Sequence, residues 1–372
     1  MIRQQHPFEQ VISLLRFPMM VGIVIIHCFI AKAADYPVST VAYDTMYFLS
    51  QIFCRIFVPM FFLISGYLFF YRKDASSWSF YQSQWKKRLR SLLVPYLLWN
   101  LFALLFVVVK TYGPLSHLFP NMAAHPLDFG DVLSAFWSFR PDEALQSVYE
   151  PSSTPVNAPM WFIRDLLVIV LLSPIIHRLV KGRLGFILPL ALLVLFVAGR
   201  WFPANAGYSI SCMLFFTLGS WMSVHHIDPV AAMERRMRLS SAAVISTVLF
   251  LALAFAELFT VGSSFNPRLH ALTIVAGVIW LCAFAGIVAQ SGRVRIPALL
   301  VSSSFFLYGF HFPIAGLMSP LIVKVIAPHS SLLWLICYFG MIIGLIFLTE
   351  VIFAVCRKVL PRFTGLLCGG RV

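Results

Sequence analysis

Long apolar runs separated by short polar segments dominate the chain. A bilayer core of roughly 30 Å needs about 20 apolar residues per helix. By that measure the runs near 11–32, 46–70, 89–110, 158–177, 184–201, 207–224, 239–258, 269–290, 298–324 and 332–356 each predict a transmembrane helix. The fifth and sixth are short and leave only "GRWFPANAG" for the turn between them. No internal repeat or low-complexity stretch divides the 372 residues, so the pattern predicts an all-α integral membrane protein: one bundle of about ten transmembrane helices in a single domain, 1–372.

Composition strengthens that expectation. The chain is 60% hydrophobic, 15% aromatic and only 11% charged, with a mean hydropathy of +0.87, outside the range of soluble globular proteins. Its net charge of +14 would suit a nucleic-acid binder, but the basic residues are scattered in small groups between apolar runs, with no basic face carrying stacking aromatics. No nucleic acid is therefore expected as a partner. The seven cysteines show no C-x-x-C spacing and no neighbouring histidine pattern, so neither a disulfide framework nor a metal site is indicated.

Charge placement predicts the orientation. Lys32, Lys110, Arg140, Arg200, Arg268 and Lys324 fall on one set of loops; Arg16, Arg55 and Arg164 fall inside apolar runs; the remaining nineteen of the 28 Lys and Arg lie on the other loops and the termini. The positive-inside rule makes the richer side cytoplasmic, with both termini there and ten spans between them. A bacterial inner or plasma membrane is the expected location. On the opposite side the loop near 111–157 carries Asp128, Asp131, Asp142, Glu143 and Glu150 against Arg140; it is either a solvated connection or the cover of an extracytoplasmic entrance. On the basic side, "SSWSFYQSQWKKRLR" sets Trp78, Tyr81 and Trp85 at helical spacing, as in an amphipathic helix lying at headgroup level.

An ionisable side chain at membrane depth costs about 2.5 kcal/mol or more, so such residues face a bundle interior or a hydrated cavity. Arg16 and His27 are three helical turns apart with about 20° to spare, hence on nearly one face, with alpha carbons roughly 16 Å apart along the axis. One face would present a fixed cation toward the cytoplasm and a titratable imidazole toward the outer half. The alternatives are a snorkelling arginine with a histidine bonded to a neighbouring helix, or a cleaved signal peptide with residues 17–30 as its apolar region and "AKA" at 31–33 as its cleavage site. Arg55 is expected to line the same cavity. Trp161, Arg164 and Asp165 share one helix surface at i,i+3 and i,i+4 spacing, as an aromatic-belt arrangement or an acceptor patch. Tyr308 and His311 can face one cavity by the same spacing, or His311 can bond a neighbouring helix. Glu257 and Glu350 suggest no role.

Several stretches resemble the membrane acyltransferase-3 family. Arg16 and His27 match its R-x10-H pattern; "FVPMFFLISGYLFF" at 57–70 is similar to its "FF-x-x-SGY" helix, which brings in Ser65 and Tyr67; "KKRLRSLLVPYLLW" at 86–99 resembles "R-x-x-R-x-x-x-P-Y". "PMWFIRDLLVIVLL" at 159–172 resembles "WF-x-x-x-L", and "SSFFLYGFHFPI" at 303–314 resembles "S-x-x-x-Y-x-x-H-x-P". Where one branch reads "W-S-L-x-x-E" this chain reads "WFIRDLL", so no role carries over to Asp165.

The resemblance implies ten helices, cytoplasmic acyl-CoA as co-substrate and an extracytoplasmic acceptor, commonly a glycan. Transfer from a thioester to a hydroxyl needs a base, for which an imidazole suits neutral pH; His27 is the candidate. Arginine grips phosphates bidentately, so Arg16 is the candidate for the pantetheine or pyrophosphate region, with Lys87, Arg88 and Arg90 at the cytoplasmic mouth, unless that cluster is a topology signal alone. Arg55, Ser65, Tyr67, Trp161, Arg164, Asp165, Tyr308 and His311 are the candidates for the substrate. The expected activity is O-acyl transfer, most simply O-acetyl transfer, to a cell-envelope glycan or its lipid-linked precursor. The competing reading is a transporter or flippase of a glycan or small metabolite, since intramembrane charges and Gly/Pro-broken spans also mark carriers.

Overall fold

The computed structural model describes residues 7–33, 38–113, 116, 126–139, 154–199 and 209–371, and among them every regular element is helical. In chain order these are α1 (Pro7–His27), α2 (Thr40–Phe70), α3 (Trp78–Tyr112), the short α4 (Phe129–Ser134), α5 (Trp161–Leu171) and α6 (Ser173–Val180). They continue with α7 (Ile187–Val197), α8 (Ile210–Val224), α9 (Pro229–Arg236), α10 (Leu239–Phe259), α11 (Asn266–Ser291), α12 (Ala298–Ile326), α13 (Ser331–Val359) and α14 (Pro361–Leu367).

Seven of these are long and apolar enough to cross a membrane: α1, α2, α3, α10, α11, α12 and α13. Two bent pairs bring the number to nine, α5 with α6 at 63° and α8 with α9 at 72°. Each bend has a proline in the first turn of the second helix, Pro174 and Pro229, where the missing N–H lets a new helix begin but not continue the old one. The expected span near 184–201 contains α7, whose 11 residues reach about 16 Å, short of a bilayer core. The "GRWFPANAG" turn falls almost wholly, and Arg140, Asp142, Glu143 and Glu150 fall entirely, outside the described residues. Asp128 and Asp131 form a capping box that starts α4, so this part of the acidic loop satisfies its own backbone.

The surface-lying helix expected around Trp78, Tyr81 and Trp85 is instead the first part of α3, continuous with the span through a π turn at Leu89–Leu93. The polar atoms of two of these aromatics find protein partners rather than headgroups. Trp85 Nε1 donates to the Val170 carbonyl at 3.0 Å, and the Tyr81 hydroxyl bonds His177 Nδ1 at 2.8 Å.

The bundle closes through small residues. A Cβ built on Gly66 of α2 would lie 2.0 Å from the Phe216 carbonyl of α8, and one on Gly219 of α8 would lie 2.0 Å from the Leu63 carbonyl of α2. Reciprocal glycines let the two backbones touch, the usual route to tight association where lipid removes the hydrophobic drive between helices. One hydrophobic core runs from Phe8 of α1 to Leu367 of α14.

Candidate functional site

The face of α1 that carries Arg16 and His27 opens into a partly open cavity of about 630 Å³. The three-turn spacing is realised in a continuous helix that ends at His27, so the two side chains meet one space about 16 Å apart along the axis. Gly22, between them, packs where a Cβ would strike the Phe57 ring at 2.1 Å, which draws α1 against α2. Arg55 joins the cavity wall from an irregular stretch of α2, a π turn at Phe48–Ile52 followed by a 3-10 turn at Phe53–Ile56. Such turns re-aim side chains within an otherwise regular helix. Gln51 fixes the result: its Nε2 donates to the Ile26 carbonyl at 3.3 Å, and its Oε1 accepts from Arg55. Arg55 is thereby held next to the end of α1 that carries His27.

Consecutive residues of the "SGY" stretch take separate tasks. Ser65 lines the cavity, Gly66 makes the crossing with α8, and Tyr67 is buried edge-on against Phe8 at 4.9 Å, away from the wall. Trp161 and Tyr308 line the cavity. The Tyr308 hydroxyl donates to the Pro159 carbonyl, and the buried Asn157 donates to the Trp99 and Gly309 carbonyls at 3.3 and 2.9 Å. These bonds hold the entry to α5 against α3 and α12.

His311 does not reach the cavity wall, but its ring lies 5.4 Å from that of His27. It is fully buried, with Nδ1 3.0 Å from the Leu307 carbonyl and Nε2 without a hydrogen-bond partner among the described residues.

Arg164 and Asp165 are not brought to the wall either. They pair with one another, Nη2 to Oδ1 at 2.9 Å with both side chains buried, and Arg164 Nη1 donates to the Trp137 carbonyl at 2.6 Å. The pair ties α5 to the segment after α4. Helical spacing placed Trp161 beside them, yet the cavity takes the tryptophan and the packing takes the charges. Glu257 and Glu350 also have structural partners: Glu257 lies 2.7 Å from His270 Nδ1, and Glu350 accepts from Ser303 at 2.6 Å, joining α10 to α11 and α12 to α13.

At the far end from His27 the cavity is basic. Arg16 and Arg88 both line it, whereas Lys87 and Arg90 are exposed and absent from the wall. A third cation there has no forerunner in the sequence reading. Arg371, which follows α14, lines the same cavity with its guanidinium carbon 4.8 Å from the Phe305 ring centroid. Nothing in the sequence around Arg371 marks it; only the return of α14 to the bundle brings it there. Between the two ends Met20, Ile23, Phe61, Ile64 and Phe162 make the wall apolar.

A family model described as an acyltransferase domain matches residues 10–351. The chain belongs to this acyltransferase family. A curated relative, the "Succinoglycan biosynthesis protein ExoH" of Rhizobium meliloti (strain 1021), is 26% identical over 275 residues, 72% of this chain and 67% of that protein. No solved structure matches the chain. In this multi-pass membrane acyltransferase the matched region takes in Arg16, His27, Arg55, Arg88, Trp161 and Tyr308, while α14 and Arg371 lie beyond it.

Proposed function

We propose that the protein moves an acyl group, in the simplest case acetyl, from cytoplasmic acyl-CoA to a hydroxyl of a cell-envelope glycan or its lipid-linked precursor. The observation that carries this reading is the single cavity into which Arg16 and His27 open at opposite ends. A cavity with apolar walls between a cluster of guanidinium groups around Arg16 and the single Arg55 beside His27 suits a donor with a phosphorylated head and an uncharged arm. Arg16 and Arg88 would hold the phosphates, since guanidinium groups bind them bidentately. The passage lets the thioester approach His27.

His27 then acts as general base. Its imidazole takes the proton of the acceptor hydroxyl as that oxygen attacks the thioester carbonyl. A carbon–oxygen bond forms, the carbon–sulfur bond breaks, and His27 returns the proton to the departing thiolate, so that ester and free CoA result. His311 orients the His27 ring, and Arg55, Ser65, Trp161 and Tyr308 hold the acceptor or the acyl carbonyl. The cytoplasmic donor requires the basic end of the cavity to face inward; that holds if the short α7 counts as a tenth span of one domain with both termini cytoplasmic, in a bacterial inner or plasma membrane. A relative named for succinoglycan biosynthesis supports a polysaccharide as acceptor.

The test uses purified protein in detergent with acetyl-CoA labelled in the acetyl group and an envelope polysaccharide preparation. Label should move to the glycan as an alkali-labile ester, with slow thioester hydrolysis when the glycan is omitted. Neither product, together with glycan movement across reconstituted vesicles, would replace the transferase reading with that of a carrier.

A further inference from the structure

Three features of the chain after α13 are built rather than left loose. Trp99 Nε1 of α3 donates to the Leu367 carbonyl at 3.0 Å, pinning the end of α14. Gly369 and Gly370 follow with φ of 62° and 76°, a left-handed region that glycine enters without strain. At Gly369 a Cβ would sit 2.1 Å from the Ser91 carbonyl, so no other residue fits that approach to α3. These two turns aim Arg371 into the basic end of the cavity, beside Arg16 and Arg88. Among the described residues no carboxylate pairs with any of the three.

Three guanidinium groups gathered at one mouth, with no acidic partner among the described residues, favour the entry of a polyanion. Arg371 is exposed at the cavity mouth, yet desolvation by the protein around it, and after it the charges of Arg88 and Arg16, lower its guanidinium from the ordinary arginine range to about 10. That is the direction expected where like charges are held together.

We propose that Arg371 is a donor-binding residue: α14 and the two glycines form a strap that sets it as the third cation, with Arg16 and Arg88, of a site for the phosphates of the acyl donor. The assignment rests on the acyl-CoA reading above and adds a residue that lies outside the region matched to the family.

Steady-state transfer is measured for wild type and Arg371→Ala with acyl-CoA and with acyl-pantetheine, which has the same reacting end and no phosphate. The KM for acyl-CoA should rise about tenfold in the variant, the scale of one lost charge-assisted hydrogen bond; with acyl-pantetheine the two proteins should share one KM. Arg371→Gln, which keeps the stem and a donor for the Cys368 carbonyl now accepting from Arg371, serves if the alanine variant does not give a monodisperse peak. An unchanged KM for acyl-CoA, or an equal defect with both donors, overturns the role of Arg371. If wild type uses neither donor, the acyl-CoA reading itself has failed. The strap is then judged by thermal shift with adenosine 3′,5′-bisphosphate: stabilisation of wild type but not of the variant upholds the anion site, and equal or absent stabilisation overturns it.

Discussion

His27 closes α1 beside a second histidine whose Nε2 is buried without a partner among the described residues, an arrangement with more chemical than structural use. Replacing His27 with alanine should lower the transfer rate about a hundredfold or more, the usual worth of a general base, with CoA binding retained by equilibrium dialysis. Wild-type turnover in that variant would remove His27 from the mechanism. Arg16→Lys keeps the charge but loses the planar fork, so the KM for acyl-CoA should rise while that for acceptor holds. Kinetics with each substrate varied separately read this directly. Asp165 belongs to a different class of residue. Because it pairs with Arg164 inside the bundle, Asp165→Asn should cost about 3 kcal/mol or more of stability, as breaking a buried pair does, and should lower the melting temperature in detergent before it alters either KM. Sequence spacing put Arg164 and Asp165 beside Trp161, but spacing fixes only angles around a helix. Which angle meets the cavity depends on how α5 is rotated by its contacts with α3 and α12.

Among the elements, α2 and α8 depend most on backbone proximity. Gly66→Val and Gly219→Val each place a branched side chain where even a Cβ would be 2.0 Å from a carbonyl oxygen of the facing helix. The expected outcome is loss of the monodisperse peak in gel filtration for both, whereas Gly340→Val on α13, where no heavy atom lies within 4 Å, should retain it. The "SGY" stretch was visible in the sequence, but its division of labour was not. Three consecutive residues on a helix point about 100° apart, so they meet three surroundings, and only the packed neighbours say which is lipid, helix or cavity. Trp78, Tyr81 and Trp85 show the same limit: aromatics beside a basic cluster look alike whether they meet headgroups or, as Trp85 and Tyr81 do here, the backbone and side chains of the helices next to them.

Across the whole molecule, charge asymmetry leads to a topology that can be measured. In a background with Cys356 replaced by serine, where the six remaining cysteines are buried, a cysteine introduced at Asp74 should react with an impermeant maleimide only after the membrane is opened, and one at Ser263 should react in intact cells. Both positions are exposed. The reverse pattern would invert the bundle and detach the basic end of the cavity from a cytoplasmic donor. What the sequence determined by itself is the set of apolar runs, because a helix must bury about 20 residues to satisfy its backbone across a bilayer, and the pairing of Arg16 with His27, because both lie on one uninterrupted helix. The tertiary structure decided the rest. Lipid and protein interior are equally apolar, so hydropathy cannot say which face of a span is inside. A residue such as Arg371 reaches its neighbours only when a helix hundreds of residues along the chain folds back against α3.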